Sequence, residues 1–307
     1  MILLFYFAVL LFGRLATVSS FETILREPKT VTVNQEGVFT NGALVHYQGV
    51  SWMAVRKLEG DKSFIYIGAF RNEAITQMQR LYLRTQYAED PRLIVWEDQL
   101  VVVYNDLVNN NRRMHLAILE QTQNGFKVSK IQPLGKEGEM KNTEKNWVPF
   151  VFEGELFFLY ETNPWTVIKY AKEGPCTIVC EQDLFIPGET AKLSGGTPAI
   201  LHGEEFISFF HIRSGTTRSY ISWNRYVYFM GAYAFEAKPP FLLKRMTVKP
   251  LSYKSAYNLT KNPKKILYPV GLTEDGNDFV VTMGVNDSRT ELVKVSKEKL
   301  ISLMVGL

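Results

Sequence analysis

Val148-Pro-Phe-Val-Phe-Glu-Gly-Glu-Leu-Phe-Phe-Leu-Tyr160 is an apolar run, a short polar turn and a second apolar run. Gly154 sits where a tight hairpin needs a residue that tolerates positive φ. The same unit occurs four more times. The copies are Ala43-Leu-Val-His-Tyr-Gln-Gly-Val-Ser-Trp-Met-Ala-Val55, Leu93-Ile-Val-Trp-Glu-Asp-Gln-Leu-Val-Val-Val-Tyr104, Pro198-Ala-Ile-Leu-His-Gly-Glu-Glu-Phe-Ile-Ser-Phe-Phe210 and Tyr268-Pro-Val-Gly-Leu-Thr-Glu-Asp-Gly-Asn-Asp-Phe-Val-Val-Thr-Met283. Their turns carry Gly, Asp or Asn.

The first four turns recur about every 50 residues, and the last interval is near 70. That longer interval holds an aromatic insert, Tyr220 to Phe241. Further short apolar runs lie between hairpins, among them Phe64-Ile-Tyr-Ile-Gly68, His115-Leu-Ala-Ile-Leu119 and Thr166-Val-Ile-Lys-Tyr170. Two inner and two outer strands per copy describe a propeller blade. The expectation is an all-β chain forming one five-bladed β-propeller over 21–307, with Thr30-Val-Thr-Val33 closing the ring against the last blade. Only Lys297 to Met304 reads as briefly helical. A β-sandwich is the rival, but it does not explain the regular spacing.

Composition narrows the function classes. An apolar fraction of 46 % and a charged fraction of 21 % exclude a disordered chain. Net charge is only +4, and there is no long basic tract or RNP-like aromatic motif, which argues against a nucleic-acid partner. The two cysteines, Cys176 and Cys180, would lie ~13 Å apart in an extended strand. They are expected as unpaired thiols, because a disulfide would require a turn between them. No metal-ligand cluster is evident, and no cofactor is called for.

Met1 to Phe12 is almost wholly apolar and is followed by the small residues Ala16-Thr17-Val18-Ser19-Ser20. Twelve residues are short for a bilayer span. The pattern fits a signal peptide over 1–20, or a short membrane anchor, and hence a secreted or secretory-pathway protein. A buried N-terminal element is the alternative. Asn258-Leu259-Thr260 and Asn286-Asp287-Ser288 are sequons compatible with that compartment.

Both ends of a hairpin reach the same edge of its sheet, so the residues flanking each copy should meet at one propeller mouth. They are Asn41 and Arg56; Asp90, Arg92, Asn105 and Asp106; Lys145, Asn146, Tyr160 and Glu161; Gly195, Gly196, Thr197 and His211; then Pro269, Gly271, Asn286 and Asp287. Basic, acidic and amide groups in one ring suit an anionic group beside an acid catalyst. Chance placement of loop polars is the bland alternative. So is Asp90 as a turn cap before Pro91, Arg56 and Lys145 as solvated strand ends, and His211 as a core histidine.

At these positions the chain resembles glycoside hydrolase family 130, the β-mannoside phosphorylases and related β-mannosidases, and the glycosyltransferase family 108 enzymes that share its fold. The resemblance runs through Glu89-Asp90-Pro91-Arg92, Arg113-Met114-His115-Leu116-Ala117, Glu144-Lys145-Asn146-Trp147-Val148-Pro149-Phe150, Gly195-Gly196-Thr197-Pro198, Phe210-His211, Tyr228-Phe229-Met230-Gly231-Ala232, Tyr268-Pro269-Val270-Gly271 and Gly284-Val285-Asn286-Asp287. It implies a β-mannoside substrate and inversion at the anomeric carbon. Asp90 would protonate the leaving oxygen, directly or through a sugar hydroxyl. Arg56, Arg113, Lys145 and His211 would hold inorganic phosphate. Asn41, Asn146, Glu161 and Asp287 would bind sugar. The same chemistry in reverse is mannosyl transfer, from mannose 1-phosphate or a nucleotide sugar. Two alternatives stay open. One is an inverting hydrolase with Glu161, Glu236 or Asp287 as base, and the other is a non-catalytic glycan-binding propeller.

Overall fold

The five hairpin turns share one geometry, and that geometry sets the blades. Each reverses in two residues: 48–49, 97–98, 153–154, 203–204 and 276–277. The first residue of every turn has positive φ, from Gln48 at 48° to Gly203 at 63°. Such turns match the right-handed twist of the strands they join.

The computed structural model describes residues 22–306 apart from 124, 185–191, 216–225 and 254–265. It is a five-bladed β-propeller. Blade one contains Val38–Tyr47, Val50–Glu59, Lys62–Arg71 and Ala74–Arg80. Blade two contains Glu89–Trp96, Gln99–Val108, Asn111–Thr122 and Gly125–Pro133. Blade three contains Val148–Phe152, Glu155–Thr162, Trp165–Lys169 and Thr177–Gln182. Blade four is built on Lys192–Gly195, Ile200–His202, Glu205–Gly215, Tyr226–Glu236 and Leu243–Thr247. Blade five contains Leu267–Asp275, Asp278–Val285 and Arg289–Ser296.

Three short strands from the chain ends tie blades together. Lys29–Thr30 pairs with Arg289–Ser296 as the fourth strand of blade five, and Thr32–Val33 then pairs with Ala74–Arg80 of blade one. The expected closure by Thr30 to Val33 is therefore shared between two blades. After a helix at Lys297–Leu303, capped by the Ser296 hydroxyl, Met304–Gly306 adds an edge strand to blade four.

An apolar cluster fills each of the five blade interfaces. Both faces of a blade are buried, so its strands read as continuous apolar runs rather than alternating ones. In Gln99–Val108, Leu100, Val102 and Tyr104 face blade one, while Val101 and Val103 face blade three. The Val148–Tyr160 hairpin contributes Phe150, which touches Phe157, Phe206, Phe235 and Phe241 at centroid separations of 4.9–5.5 Å. Truncating a ring so enclosed costs about 3–5 kcal/mol. Cys176 and Cys180 are free and buried.

Candidate functional site

Two bulges aim the centre of the site. Between Thr40 and Ala43 the blade-one register slips, leaving Asn41 at φ 53°. Between Glu89 and Arg92 the blade-two register slips in the same way, leaving Asp90 at φ 53°. A bulge re-aims the extra side chain out of the pleat. Here both turn into a cavity of about 500 Å³ at one mouth of the propeller.

Asp90 lies on its floor, 7 % exposed. Asn41 Nδ2 donates to Asp90 Oδ1 at 2.7 Å, and Asn105 Nδ2 donates to Oδ2 at 3.4 Å. The Tyr268 hydroxyl stands 3.2 Å from Oδ2 and 2.6 Å from Asn146 Oδ1, and its single proton can serve either. Arg56 Nη1 is 4.0 Å from Oδ1. Burial pushes the Asp90 carboxyl up, but the charges of Arg56, Arg92 and Lys145 and the Asn41 hydrogen bond together outweigh it. The carboxyl is held below the usual carboxylate range.

Arg92 is fully buried and acts as a fastener across the ring. It donates to the carbonyls of Gly196 at 2.5 Å and Gly195 at 3.3 Å, and to Asn146 Oδ1 and the Tyr268 hydroxyl. The two glycines let this stretch of backbone pack closely on its neighbours. A Cβ on Gly195 would lie 2.4 Å from the Asn146 carbonyl oxygen, and one on Gly196 would lie 2.4 Å from that of Phe209. Beside Asp90, Glu89 Oε1 accepts from Arg56 Nη2 at 2.5 Å and Arg112 Nη2 at 2.6 Å. Burial and the adjacent Asp90 push the Glu89 carboxyl up, against the pull of the two guanidinium groups.

Lys145 rises from the loop before blade three. It is exposed to the cavity and makes no hydrogen bond or ion pair among the described residues. Buried Glu144 anchors that loop, accepting from the Lys141 amide at 2.8 Å, Trp147 Nε1 at 3.1 Å and the Tyr160 hydroxyl at 2.9 Å. Glu161 and Asp287 also line the cavity, Glu161 being ion-paired to Lys141.

Three sequence expectations are corrected. Arg113 does not line the cavity: its Nη1 donates to the carbonyls of Arg112, Lys141 and Asn142, each at 3.0 Å. Successive residues of a strand point to opposite faces, so Arg112 reaches Glu89 and Arg113 turns to the loop bearing Lys145. His211 does line the cavity, but as a neutral ring. Burial first, then Arg92, Lys145 and Arg213, depress its pKa to about 3 against the opposing pull of Asp90. It packs between Tyr228 and Tyr268 with Nδ1 unpartnered among the described residues. Glu236 lies opposite Glu205, at the far end of its strand from the cavity residues His211, Arg213 and Tyr228, and is not part of this site.

The structure thus brings Asn41, Arg56, Asp90, Lys145, Asn146, Glu161, His211 and Asp287 to one cavity. Glu89, Arg112, Glu144 and Tyr268 were not singled out from the sequence as site residues. Glu89, Glu144 and Tyr268 stand at the start of the motifs already quoted, which was the available signal. Among the described residues no group of three or more His, Cys, Asp or Glu gathers for a metal ion. Met1 to Ser20 and the sequon at Asn258 lie outside the described residues. The Asn286 side chain is half-buried, and its Oδ1 accepts from the Ile266 amide at 3.0 Å.

No family model matches the sequence. Over 121 residues the chain is 31 % identical to β-mannosyltransferase 2 of Komagataella phaffii, a match that covers 37 % of this chain and 18 % of that protein. The match therefore spans less than a fifth of the curated relative's length. The fold matches a β-1,2-mannobiose phosphorylase from Listeria innocua, solved with β-1,2-mannobiose, with TM-score 0.62, 15 % identity, and coverage of 91 % of this chain and 96 % of that one. It also matches a mannose phosphorylase from Leishmania mexicana, solved with a phosphate ion, with TM-score 0.63, 12 % identity, and coverage of 93 % and 92 %.

Proposed function

We propose that the chain acts on β-mannosides by inverting phosphorolysis, or runs the same reaction in reverse as mannosyl transfer from mannose 1-phosphate. The observation that carries this is a buried carboxylate, Asp90, sharing one cavity with the ammonium of Lys145, unpaired among the described residues, and the guanidinium of Arg56. Similarity to a mannosyltransferase and to the fold of mannoside phosphorylases supports the choice of sugar.

In phosphorolysis, phosphate held by Arg56 and Lys145 attacks the anomeric carbon on the face opposite the leaving oxygen. The glycosidic C–O bond breaks, and the proton from Asp90 passes to that oxygen, directly or through a sugar hydroxyl. In transfer, the Asp90 carboxylate takes the proton of the acceptor hydroxyl as that oxygen bonds to carbon and phosphate leaves. The depressed pKa of Asp90 gives the base form, which suits transfer. For phosphorolysis the phosphate must bind first. Its negative charge offsets Arg56 and Lys145 and lets the carboxyl take up a proton. Asn41, Asn146, Glu161 and Asp287 are assigned to the sugar hydroxyls, and the apolar run Met1 to Phe12 supports a secretory-pathway setting.

The test is product identity. Purified protein is incubated with short β-mannosides in phosphate and in phosphate-free buffer, and with mannose 1-phosphate plus acceptor. Mannose 1-phosphate formed only with phosphate, or mannoside lengthening from mannose 1-phosphate, is the expected result. Free mannose in equal amounts in both buffers would make the chain a hydrolase. Binding without either product would make it a glycan-binding propeller.

A further inference from the structure

A second concave feature lies away from this cavity, between the fourth strands of blades one and two, Ala74–Arg80 and Gly125–Pro133. It holds about 580 Å³. Gln79 fastens its floor by donating to the Phe126 carbonyl, so the groove is a fixed seam between two blades. Among the described residues four cations line it, Arg80, Arg84, Lys127 and Lys130, and no carboxylate does. Lys127 is paired with Glu120, both well exposed. Arg84 and Lys130 are exposed and make no hydrogen bond or ion pair among the described residues. The Arg80 guanidinium carbon lies 3.7 Å from the Phe64 ring centroid and 5.8 Å from that of Tyr82, and its Nε is buried without a described partner. Tyr82 is 77 % exposed, although large apolar side chains are otherwise mostly buried in this chain.

We propose that this groove binds an oligosaccharide bearing a phosphate monoester, holding an anionic glycan on the enzyme outside the catalytic cavity. The choice of a mannose-based glycan rests on the function proposed above; the groove's own chemistry does not. Unpaired Arg and Lys side chains form charge-assisted hydrogen bonds with phosphate oxygens. The exposed Tyr82 ring, with the Arg80 guanidinium 5.8 Å from its centroid, offers the apolar face on which the C–H side of a pyranose packs. A single-sign lining concentrates anions. The concavity favours a chain that lies in a slot over a bilayer, which meets a convex surface.

Calorimetric titration of the full chain decides it, with four probes: mannotetraose carrying one phosphate monoester, uncharged mannotetraose, inorganic phosphate, and phosphatidylserine vesicles. The double variant Arg84→Ala, Lys130→Ala should weaken the charged tetraose by at least about tenfold. Tyr82→Ala should weaken the charged tetraose but not inorganic phosphate. Both should leave turnover of a short uncharged mannoside unchanged, since none of these residues lines the catalytic cavity. Equal binding of the charged and uncharged tetraose overturns the proposal, as does unchanged affinity in both variants. Displacement by inorganic phosphate at equal concentration reduces the groove to an ion site and also overturns it. So does sedimentation with vesicles without tetraose binding. If the wild type turns over no mannoside yet the variants lose the charged tetraose, the proposed activity falls and the groove stands.

Discussion

Asn41 and Asp90 sit in equivalent bulges of adjacent blades, each at φ 53°, and the Asn41 amide donates to the Asp90 carboxylate at 2.7 Å. Gly284 makes room for this pairing. A Cβ there would lie 1.7 Å from Asn41 Oδ1. Gly284→Ala is expected to push the amide off Asp90 and lower kcat at least about tenfold, and Asn41→Ala to do the same. The double variant should lose little more than either single one, because both act on one hydrogen bond. That hydrogen bond favours the charged carboxylate, so a carbon-detected titration should find the Asp90 pKa raised in Asn41→Ala. Additive losses with an unmoved Asp90 pKa would count against the positioning role.

Asp90→Asn keeps the size of the side chain and removes its proton chemistry. Turnover should fall at least about 100-fold, with mannoside affinity little changed. In the wild type, phosphate should raise the Asp90 pKa, because Arg56 and Lys145 now hold it down. An Asp90 titration indifferent to phosphate would remove phosphate from this cavity. The sign also bears on stability. The folded pKa lies below the unfolded value, so the stabilisation is present above the unfolded pKa and lost as pH falls through the folded one.

Lys145 and Arg113 should fail differently. Lys145→Ala removes an exposed ammonium that is unpaired among the described residues, so phosphate affinity should fall about tenfold with a stability change within about 0.5 kcal/mol. Arg113→Ala instead frees the carbonyls of Lys141 and Asn142. It should speed amide hydrogen exchange across residues 141–145 and raise the KM for phosphate indirectly. Equal exchange in the two variants would contradict the separation.

His211 is buried neutral with its pKa near 3, while an unfolded histidine titrates near about 6.5. Between these values the unfolded chain binds the extra proton, so stability should decline as pH falls through that window. His211→Gln should flatten this slope in denaturant titrations at several pH values. Phosphate affinity should follow the ionisation of phosphate itself, with no further group titrating near pH 6.5. A histidine resonance titrating near that pH and assigned to His211 would refute the neutral assignment.

The blade count, the five reversals and the place of Asp90 were legible in the sequence. Apolar runs and two-residue turns are local signals, and repetition multiplies them: of Gln48-Gly49, Glu97-Asp98, Glu153-Gly154, Gly203-Glu204 and Gly276-Asn277, all but the second carry a glycine that tolerates the positive φ of a tight reversal. What a side chain meets at the mouth depends on the tertiary structure. Arg112 and Arg113 are neighbours of one residue type, and only the strand's pleat decides that the first reaches Glu89 and the second reaches the 141–142 carbonyls. His211 reads as a cation until the charges of blades two, three and four and its own burial are counted around it. Tyr268 looks like an ordinary strand residue, and Arg92 like one more basic group of the mouth, until the ring closes and their polar ends meet Asn146 beside Asp90. Chain-local preferences determined the blades. Charge, protonation and contact at the site are sums over four or five blades, and they exist only once the propeller is assembled.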